Sequence, residues 1–566
     1  MLLFLILFYC IFIINRGFFV VGKKVLVTSA LPYVNNVPHL GNLIGSVLSA
    51  DAFARFMRVD GREVLFVLGT DEHGTTAEFK AMEEKLTPRE LVDKYFLIHK
   101  NIYDWFQTSY DCLGRTSSKE NAQITQHIFK KLYDNGYITE HSITQLYSEP
   151  SKKFLSDRFV EGECPYCHAS GARGDQCDAC GKLLDPSELI KPISKLDGST
   201  PVLKETKHLY IDLPKIQPDL VEWFSESKSK WSNIAVSVTE QWLKQGLKER
   251  CITRDLEWGV KIPLEGWENK VFYSWFDAPI GYIGITIENR SDWKDWWMSE
   301  DVSLYQFMGK DNVPFHSIMF PAFLIGTKEG YKLVDYLAST DYLNYEDKKF
   351  SKSKNIGVFG DDAKDTGIAS DVWRYYLFRV RPESGDTQFE WNDFQSKVNN
   401  ELVGNFGNFV NRVVAQNEKF FSSVAPKSNH ELLEKAGPLV EEYKSLFYSA
   451  RIRDALSKAN EISSLGNKYL QEKQPWIEVK TNPSGAALTI ANCLELAKLL
   501  AVIYYPFTPT ACEKIFGILG EKESIIKVGV SGAFEGIEEG RVITPKGILF
   551  EKIEDKRIVE LKQKFG

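Results

Sequence analysis

Val25, Leu26, Val27 and Thr28 form an apolar, β-branched run without polar alternation, the pattern of a strand buried on both faces. Pro32, Asn35, Asn36 and Pro38 break the run into a loop, and His39-Leu40-Gly41-Asn42 then opens an apolar stretch, Leu43 to Phe56, that predicts a helix. Glu63 to Leu68 predicts a second buried strand, ending in Gly69-Thr70-Asp71-Glu72-His73-Gly74. This alternation up to about Tyr137 predicts an α/β core with a parallel sheet, in which ligands sit at the carboxyl ends of strands. Asp71 and Glu72 read equally well as a helix N-cap and first-turn acid.

The texture changes from Ile138 to about Glu249, which is short-stranded, rich in turns and reads as an insertion. Strand-like runs return at Lys270 to Phe276 and Ser303 to Met308, each ending in a motif: Trp275-Phe276-Asp277-Ala278-Pro279, then Gly309-Lys310-Asp311. The pattern predicts a nucleotide-binding fold in two halves, 23–137 and 250–341, split by 138–249 and followed by a small domain at 342–398. Leu402, Phe406, Phe409, Val410 and Val413 keep helical spacing, as do Leu496, Leu499, Leu500, Ile503 and Tyr504 before Pro506, so 399–566 is expected to be helical with a charged last helix.

With 566 residues, several domains are expected. The net charge of −7 gives no global basic field, although a local patch suffices for an RNA partner. Met1–Val21 is almost wholly apolar, but it lacks the basic start and cleavage site of a signal peptide, and Asn15-Arg16-Gly17 interrupts it short of a full membrane span. Residues 1–22 read as an upstream extension, with a membrane anchor as the rival reading.

Four of nine cysteines cluster as Cys164-Pro-Tyr-Cys167 and Cys177-Asp-Ala-Cys180. Two such knuckles complete a tetrahedron of thiolates around Zn²⁺, with no open position, so one structural zinc is expected rather than a disulfide framework. The strand–loop–helix start at His39, Gly41 and Asn42 makes an anion site from free backbone N–H groups and the helix dipole. Lys349-Phe350-Ser351-Lys352-Ser353 puts lysines on a short polar loop: a solvated basic turn, or a clamp on a polyphosphate whose charge grows in a transition state.

Taken together, these motifs resemble the class I aminoacyl-tRNA synthetases from Lys24 to about Glu554. HLGN looks like the family's HIGH signature and KFSKS like its KMSKS signature. ALPYVNNVPHLGN, GTDEHG, CITRD, WFDAPIGY, GKDNVPFHS and EKQPW resemble the methionine branch, nearer its cytosolic eukaryotic and archaeal members. The resemblance implies a Rossmann-type catalytic core, a zinc-bearing connective insertion, a stem-contact domain and an α-helical anticodon-binding bundle. It implies phosphate handling by His39, Asn42, Lys310, Lys349 and Lys352. ATP contacts would extend to Gly41, Gly309, Asp311 and Ser351, and Mg²⁺ would arrive with ATP. Asp71 would hold the substrate ammonium, and Leu31, Tyr33, Trp275, Ala278, Pro279, Tyr282 and His316 would line the methionine side-chain pocket. Asn408, Arg412 and Trp476 would read the anticodon of initiator and elongator methionine tRNAs.

There are three departures. Asn42 replaces the second His of HIGH but still donates through its amide. Phe350 replaces Met at a packing position. Ser148-Glu-Pro-Ser151 and Lys195-Leu-Asp-Gly198 hold no Cys where some relatives carry a second knuckle pair. The expected protein is a cytoplasmic monomer without membrane association. The rivals are a synthetase for isoleucine, leucine or valine, which the missing large editing insertion disfavours, and a non-catalytic RNA-binding derivative, which retention of His39, Asp71, Lys349 and Lys352 disfavours. The third is a membrane-anchored structural protein, resting on Met1–Val21 alone.

Overall fold

The computed structural model describes residues 22–155, 159–173, 177, 179–180, 184–348, 350–352 and 356–565. Lys349, Ser353 and the Met1–Val21 stretch therefore lie outside the described residues. Strand β1 (Lys24–Ser29) leads to a continuous helical run: a turn at Leu40–Asn42, a π-helical stretch Leu43–Val47 and helix α1 (Leu48–Val59). Then come β2 (Glu63–Thr70), α2 (Thr75–Glu84), α3 (Pro88–Trp105), β3 (Cys112–Arg115) and α4 (Lys119–Asp134).

The insertion carries β4 (Ile138–Ser148), β5 (Lys153–Phe154), β6 (Val160–Glu163), β7 (Ser170–Arg173), β8 (Ile190–Ser194) and β9 (Val202–Ile211). Two helices follow, α5 (Leu213–Ser227) and α6 (Asn233–Gln245), then the short strands β10 (Arg250–Cys251), β11 (Thr253–Arg254) and β12 (Val271–Phe272). Helix α7 (Ser274–Asn289), β13 (Val302–Gly309), α8 (Phe320–Thr327) and β14 (Tyr336–Thr340) complete the core.

The central sheet is fully parallel with order β14-β13-β1-β2-β3. The period-2 geometry of β1 splits its side chains between two cores. Val25 and Val27 join one with Phe66, Leu68, Tyr305 and Phe307. Leu26 joins the other with Leu65, Val67, Leu304 and Met308. Because β13 and β2 flank β1 on opposite sides, the chain reverses its winding direction at β1, and the crevice above its carboxyl end is where an open α/β sheet takes its ligand.

The expected strand from Lys270 to Phe276 is only Val271–Phe272, and Trp275 lies in the first turn of α7. The aromatic run reads as strand locally, yet the chain turns helical at Ser274. Pro279 sits six residues into the helix, where it removes an N–H that would have bonded the Trp275 carbonyl. Helices α5 and α6 share a core with α4 and α8, so this part of 138–249 packs as one body with the sheet.

Beyond β14 lie β15 (Leu343–Tyr345), α9 (Gly360–Asp365), α10 (Ser370–Arg379) and β16 (Thr387–Phe389). The helical bundle contains α11 (Trp391–Lys397), a π stretch Val398–Gly407 and α12 (Asn408–Phe421). It continues with α13 (Glu431–Tyr448), α14 (Ile452–Lys473), α15 (Pro475–Glu478), α16 (Pro483–Tyr504) and, at the chain's end, α17 (Asp555–Phe565). Helix α16 is long and apolar enough to cross a membrane, but most of it is buried as the bundle's core.

A buried polar node fastens the bundle to the sheet. Asp51 on α1 pairs with Arg55 at 3.1 Å and with Arg374 of α10 at 2.7 Å, and Arg374 also donates to the Phe106, Pro506 and Phe507 carbonyls. Burial pushes the Asp51 carboxyl up, but the two guanidinium groups outweigh it and hold it at about 2. Removing one partner from such a node costs about 3–5 kcal/mol, because the other charge is left buried and unpaired.

Candidate active site

His39 caps the first helical turn. Its Nδ1 accepts the Asn42 N–H at 3.2 Å while Asn42 Oδ1 accepts the His39 N–H at 3.2 Å, a reciprocal capping box. Burial pushes the imidazole down to about 4, so the ring is neutral near pH 7. With Nδ1 accepting, the ring proton sits on Nε2, which is left as a donor. The same box turns the Asn42 Nδ2 hydrogens away from the helix. Asp71 and Glu72 cap no helix; Gly74 precedes α2.

Gly41 is required by close approach: a Cβ there would lie 3.0 Å from the His39 ring and 3.2 Å from the Leu343 carbonyl oxygen of β15. This seam brings the two signature loops together. The Gly360 N–H donates to the Pro38 carbonyl at 2.8 Å, and Phe359 pairs with His39 in a short bridge. The rings of Phe350 and Phe359 both contact the His39 imidazole, at 4.5 and 6.1 Å between centroids.

Ser351 and Ile356 exchange backbone hydrogen bonds at 3.0 Å, closing the base of the lysine–serine loop. The Lys352 ammonium lies over the Phe359 ring at 4.6 Å and pairs with Asp361 at 3.0 Å and Asp362 at 3.2 Å. Lys310 lies over Tyr342 at 4.0 Å and pairs with Asp341 at 2.9 Å and Asp386 at 3.2 Å. Asp311 accepts the Tyr342 hydroxyl. Gly309 ends β13 with open space where a Cβ would stand, so its backbone is free for a ligand's approach.

Leu31, Tyr33, Asp71, Trp275, Ala278, Pro279, Tyr282 and His316 line one pocket, together with Ala30, Ser274, Asn312 and Phe315. The last four were not singled out in the sequence, although each lies within or beside a motif that was. Tyr33 and Trp275 form the exposed rim, while Asp71, Tyr282 and His316 are buried. His316 Nδ1 lies 2.8 Å from the Asn312 carbonyl, which only accepts, so Nδ1 carries the proton and Nε2 accepts the Tyr282 hydroxyl at 2.7 Å. Burial pushes His316 down to about 4. The pocket thus presents a neutral, mutually satisfied Tyr–His pair with no free donor, an environment suited to an apolar or thioether group.

Asp71 supplies the opposite chemistry. Its Oδ1 is buried without a hydrogen-bond partner, and burial, then the Asp277 carboxylate, push its pKa well above the ordinary range. An unmatched carboxylate oxygen at a pocket wall is matched by a ligand cation. Outside the pocket, Arg254 of the CITRD motif lies 3.7 Å over Tyr273, which stacks on Trp275.

The Sγ atoms of Cys164, Cys167, Cys177 and Cys180 lie within 4.8 Å of one another, with Cys164–Cys180 at 3.9 Å and Cys167–Cys177 at 3.6 Å. These are far longer than a disulfide bond, and Zn–S bonds of about 2.3 Å around a tetrahedron set similar sulfur–sulfur edges. Where the second Cys pair is missing, Asp197 accepts hydrogen bonds from Ser148, Ser151 and Ser199, so hydrogen bonds join the same two loops.

On the bundle, Asn408 is exposed and Arg412 half-buried one turn further along α12, and the Arg412 guanidinium lies 5.4 Å over the Trp476 ring. Gln474, with φ 47°, makes the turn between α14 and α15, and Pro475 starts α15. Trp476 packs in part against the bundle core.

Comparison with known proteins agrees along nearly the whole chain. The chain is 47% identical over 556 residues to a cytoplasmic methionine--tRNA ligase of Xenopus laevis and 46% identical over 555 residues to the human one. The match covers 96% of this chain but 61% and 62% of those relatives, so the chain spans about three-fifths of their length. A probable cytoplasmic methionine--tRNA ligase of Dictyostelium discoideum is 48% identical, with 75% of its length covered. The fold is that of a Mycobacterium tuberculosis methionyl-tRNA synthetase solved with methionyl-adenylate, with a TM-score of 0.77 at 22% identity over 93% of this chain and 99% of that one. Residues 422–566 match the anticodon binding domain of methionyl tRNA ligase. Residues 25–414 match the family described as tRNA synthetases class I (M), and the chain belongs to that family.

Proposed function

We propose that this chain is a methionine–tRNA ligase. The methionine carboxylate attacks the α-phosphorus of ATP, forming methionyl-adenylate and expelling pyrophosphate. The 3′-terminal adenosine hydroxyl of a methionine tRNA, initiator or elongator, then takes the methionyl group and releases AMP. No protein nucleophile takes part, so rate comes from positioning and from donors aimed at developing charge. His39 Nε2–H, the Asn42 amide and the Lys310, Lys349 and Lys352 ammonium groups stabilise the phosphates. Gly41 and Gly309 let the nucleotide approach the backbone, with Asp311 beside the ribose and Ser351 at the base of the lysine loop. Asp71 holds the methionine ammonium, and the Tyr282–His316 pair faces the thioether. Mg²⁺ enters with ATP.

One observation carries this reading. Eight side chains from four separate motifs, around Tyr33, Asp71, Trp275 and His316, converge on one pocket that combines a buried unmatched carboxylate with a neutral aromatic lining. The four cysteines hold a single Zn²⁺, which fixes the fold of the insertion and takes no part in the chemistry. Asn408, Arg412 and Trp476 take the anticodon. The cytoplasmic relatives support a cytoplasmic site of action.

The test is amino-acid-dependent ATP–pyrophosphate exchange with each of the twenty amino acids. Exchange is expected with methionine. No exchange, or exchange strongest with isoleucine, leucine or valine, overturns the assignment.

A further inference from the structure

His73 does not line the pocket, yet it ties two of its walls together. It follows Asp71 and Glu72 in the loop after β2, and its Nδ1 lies 2.7 Å from Asp277 Oδ2 on the first turns of α7. Both partners are nearly inaccessible, at 6% and 0% side-chain exposure. The other Asp277 oxygen is buried with no hydrogen-bond partner, as is Asp71 Oδ1. Two carboxylates therefore sit near one another, Asp71 lining the pocket and Asp277 outside its lining, each with one oxygen short of a partner, and the Asp277 charge is one of the causes raising the Asp71 pKa. Asp71 serves a ligand ammonium only while ionised.

The surrounding charges leave His73 as the side chain paired with Asp277. Glu72 is already matched: Arg115 Nε bonds both its oxygens at 2.8 and 2.9 Å, Thr70 donates at 2.9 Å, and Ser117 donates as well. From the loop before β12, Trp258 meets the His73 ring edge-on at 5.4 Å, with its own indole N–H on the Glu72 carbonyl. Arg89 of α3 is held over the far side of Trp258 at 5.1 Å, and Glu78 of α2 accepts the Trp258 backbone N–H. Arg115 and Arg89 are thus engaged elsewhere, and Glu78 adds a negative charge.

We infer that His73 is a positioning residue for amino-acid binding: its imidazole hydrogen-bonds Asp277 and screens that carboxylate from Asp71, which is left as the carboxylate facing the ligand ammonium. The inference rests on the reading of the pocket given above. Without the imidazole, the buried like charges compete and one carboxylate takes up a proton at higher pH.

The experiment is the pH dependence of kcat/KM for methionine in ATP–pyrophosphate exchange by the whole chain. His73→Asn replaces the imidazole with an amide that cannot take up a proton. It is expected to move the acid limb upward by about 1 pH unit with KM for ATP unchanged. His73→Asn combined with Asp277→Asn removes the competing carboxylate along with the imidazole and returns the limb toward its wild-type position. Asp277→Asn alone keeps His73 and removes the competing anion, so it moves the limb downward, a sign that does not depend on His73→Asn folding well. An unmoved limb in His73→Asn, or one that the second substitution fails to return, overturns the inference. A wild-type chain with no methionine-dependent exchange would instead overturn the pocket reading itself.

Discussion

The imidazole of His39 and the ring of Phe350 stack face to face, with centroids 4.5 Å apart and planes 3° from parallel. One ring belongs to the helix-opening loop at the carboxyl end of β1 and the other to the lysine–serine loop. Gly357 holds Phe350 from behind: its φ of +99° suits glycine, and a Cβ there would lie 2.4 Å from the phenyl ring. Aromatic stacking of this kind contributes about 0.5–1.5 kcal/mol beyond burial. Phe350→Ala is therefore expected to slow pyrophosphate exchange roughly 10-fold, the upper end of that range, with KM for methionine unchanged. Stopped-flow measurement of adenylate formation checks this; an altered methionine KM with an unchanged rate would place the stack in the wrong step.

Lys352 pairs with Asp361 and Asp362 near the protein surface, at about two-fifths exposure for the lysine, so the contact adds little to stability. In the function proposed above, it meets phosphate charge that develops as pyrophosphate leaves. Lys352→Ala is expected to lower the rate of adenylate formation about 100- to 1,000-fold, as for other preorganised donors, while the melting temperature stays within a degree or two of wild type. A large drop in melting temperature with an unchanged rate would contradict that role.

Much of the architecture was legible because it rests on local pattern. The buried strands β1, β2 and β13 are continuous apolar runs in the sequence, and the cysteine spacing already defines two knuckles. The pocket residues were legible only through the resemblance of their motifs. What escaped was set by distant partners. Lys270 to Phe276 reads as strand by composition, but the tertiary context puts Trp275 on a helix whose first turns face the pocket. The Tyr282–His316 pair and the His73–Asp277 pair each join groups from separate elements, and no periodicity reveals such a pairing. Nor does spacing reveal that Asp197, rather than a metal, joins the loops at Ser148 and Ser199.

His39 and His316 are both held neutral, burial pushing each down to about 4. Between the ordinary histidine value of about 6.5 and that lowered value, the unfolded chain binds protons that the folded chain refuses. Their neutral forms therefore contribute stability that is fully present above about pH 6.5 and lost as pH falls toward 4. A chain carrying His39→Asn and His316→Asn should lose less melting temperature than wild type between pH 6.5 and pH 4.5. Asp71 and Asp277, whose raised pKa values act in the opposite direction, are common to both proteins and cancel in the difference. Equal slopes for the two proteins in differential scanning fluorimetry would contradict the lowered values.

Cys164 and Cys177 are buried in a small core with Phe159, Leu189, Leu256 and Val271, whereas Cys167 and Cys180 are exposed. Elemental analysis of the purified chain is expected to give about one zinc per molecule, consistent with one set of four thiolates. Chelation, or Cys164→Ser with Cys177→Ser, should remove the metal and open 159–200 to proteolysis at temperatures where the bundle is still folded, because the metal supplies folding energy locally. Two zinc ions per chain, or zinc retained by the double variant, would remove the ligand assignment.

The last prediction concerns tRNA choice. Asn408 and Arg412 are four residues apart and share a face of α12, and the Arg412 guanidinium lies 5.4 Å over the Trp476 ring. Trp476 is half-buried: one part of the indole packs on the bundle and the rest meets solvent beside Arg412. That geometry offers an aromatic surface and a cation to an unpaired base, with the Asn408 amide alongside to read a base edge. Base stacking on such a ring is worth about 1–3 kcal/mol. Trp476→Ala should therefore raise KM for methionine tRNA by roughly 10- to 100-fold, while tRNA-independent pyrophosphate exchange stays at the wild-type rate, because neither substrate of that step meets the bundle. The packed part of the indole sets a second expectation: a small fall in melting temperature, well short of the 3–5 kcal/mol typical of deleting a fully buried tryptophan. Trp476→Phe keeps a ring to stack on and should recover most of the tRNA affinity. If Trp476→Ala instead unfolds the bundle while the surviving folded fraction binds tRNA normally, Trp476 is a packing residue and the anticodon must be read elsewhere.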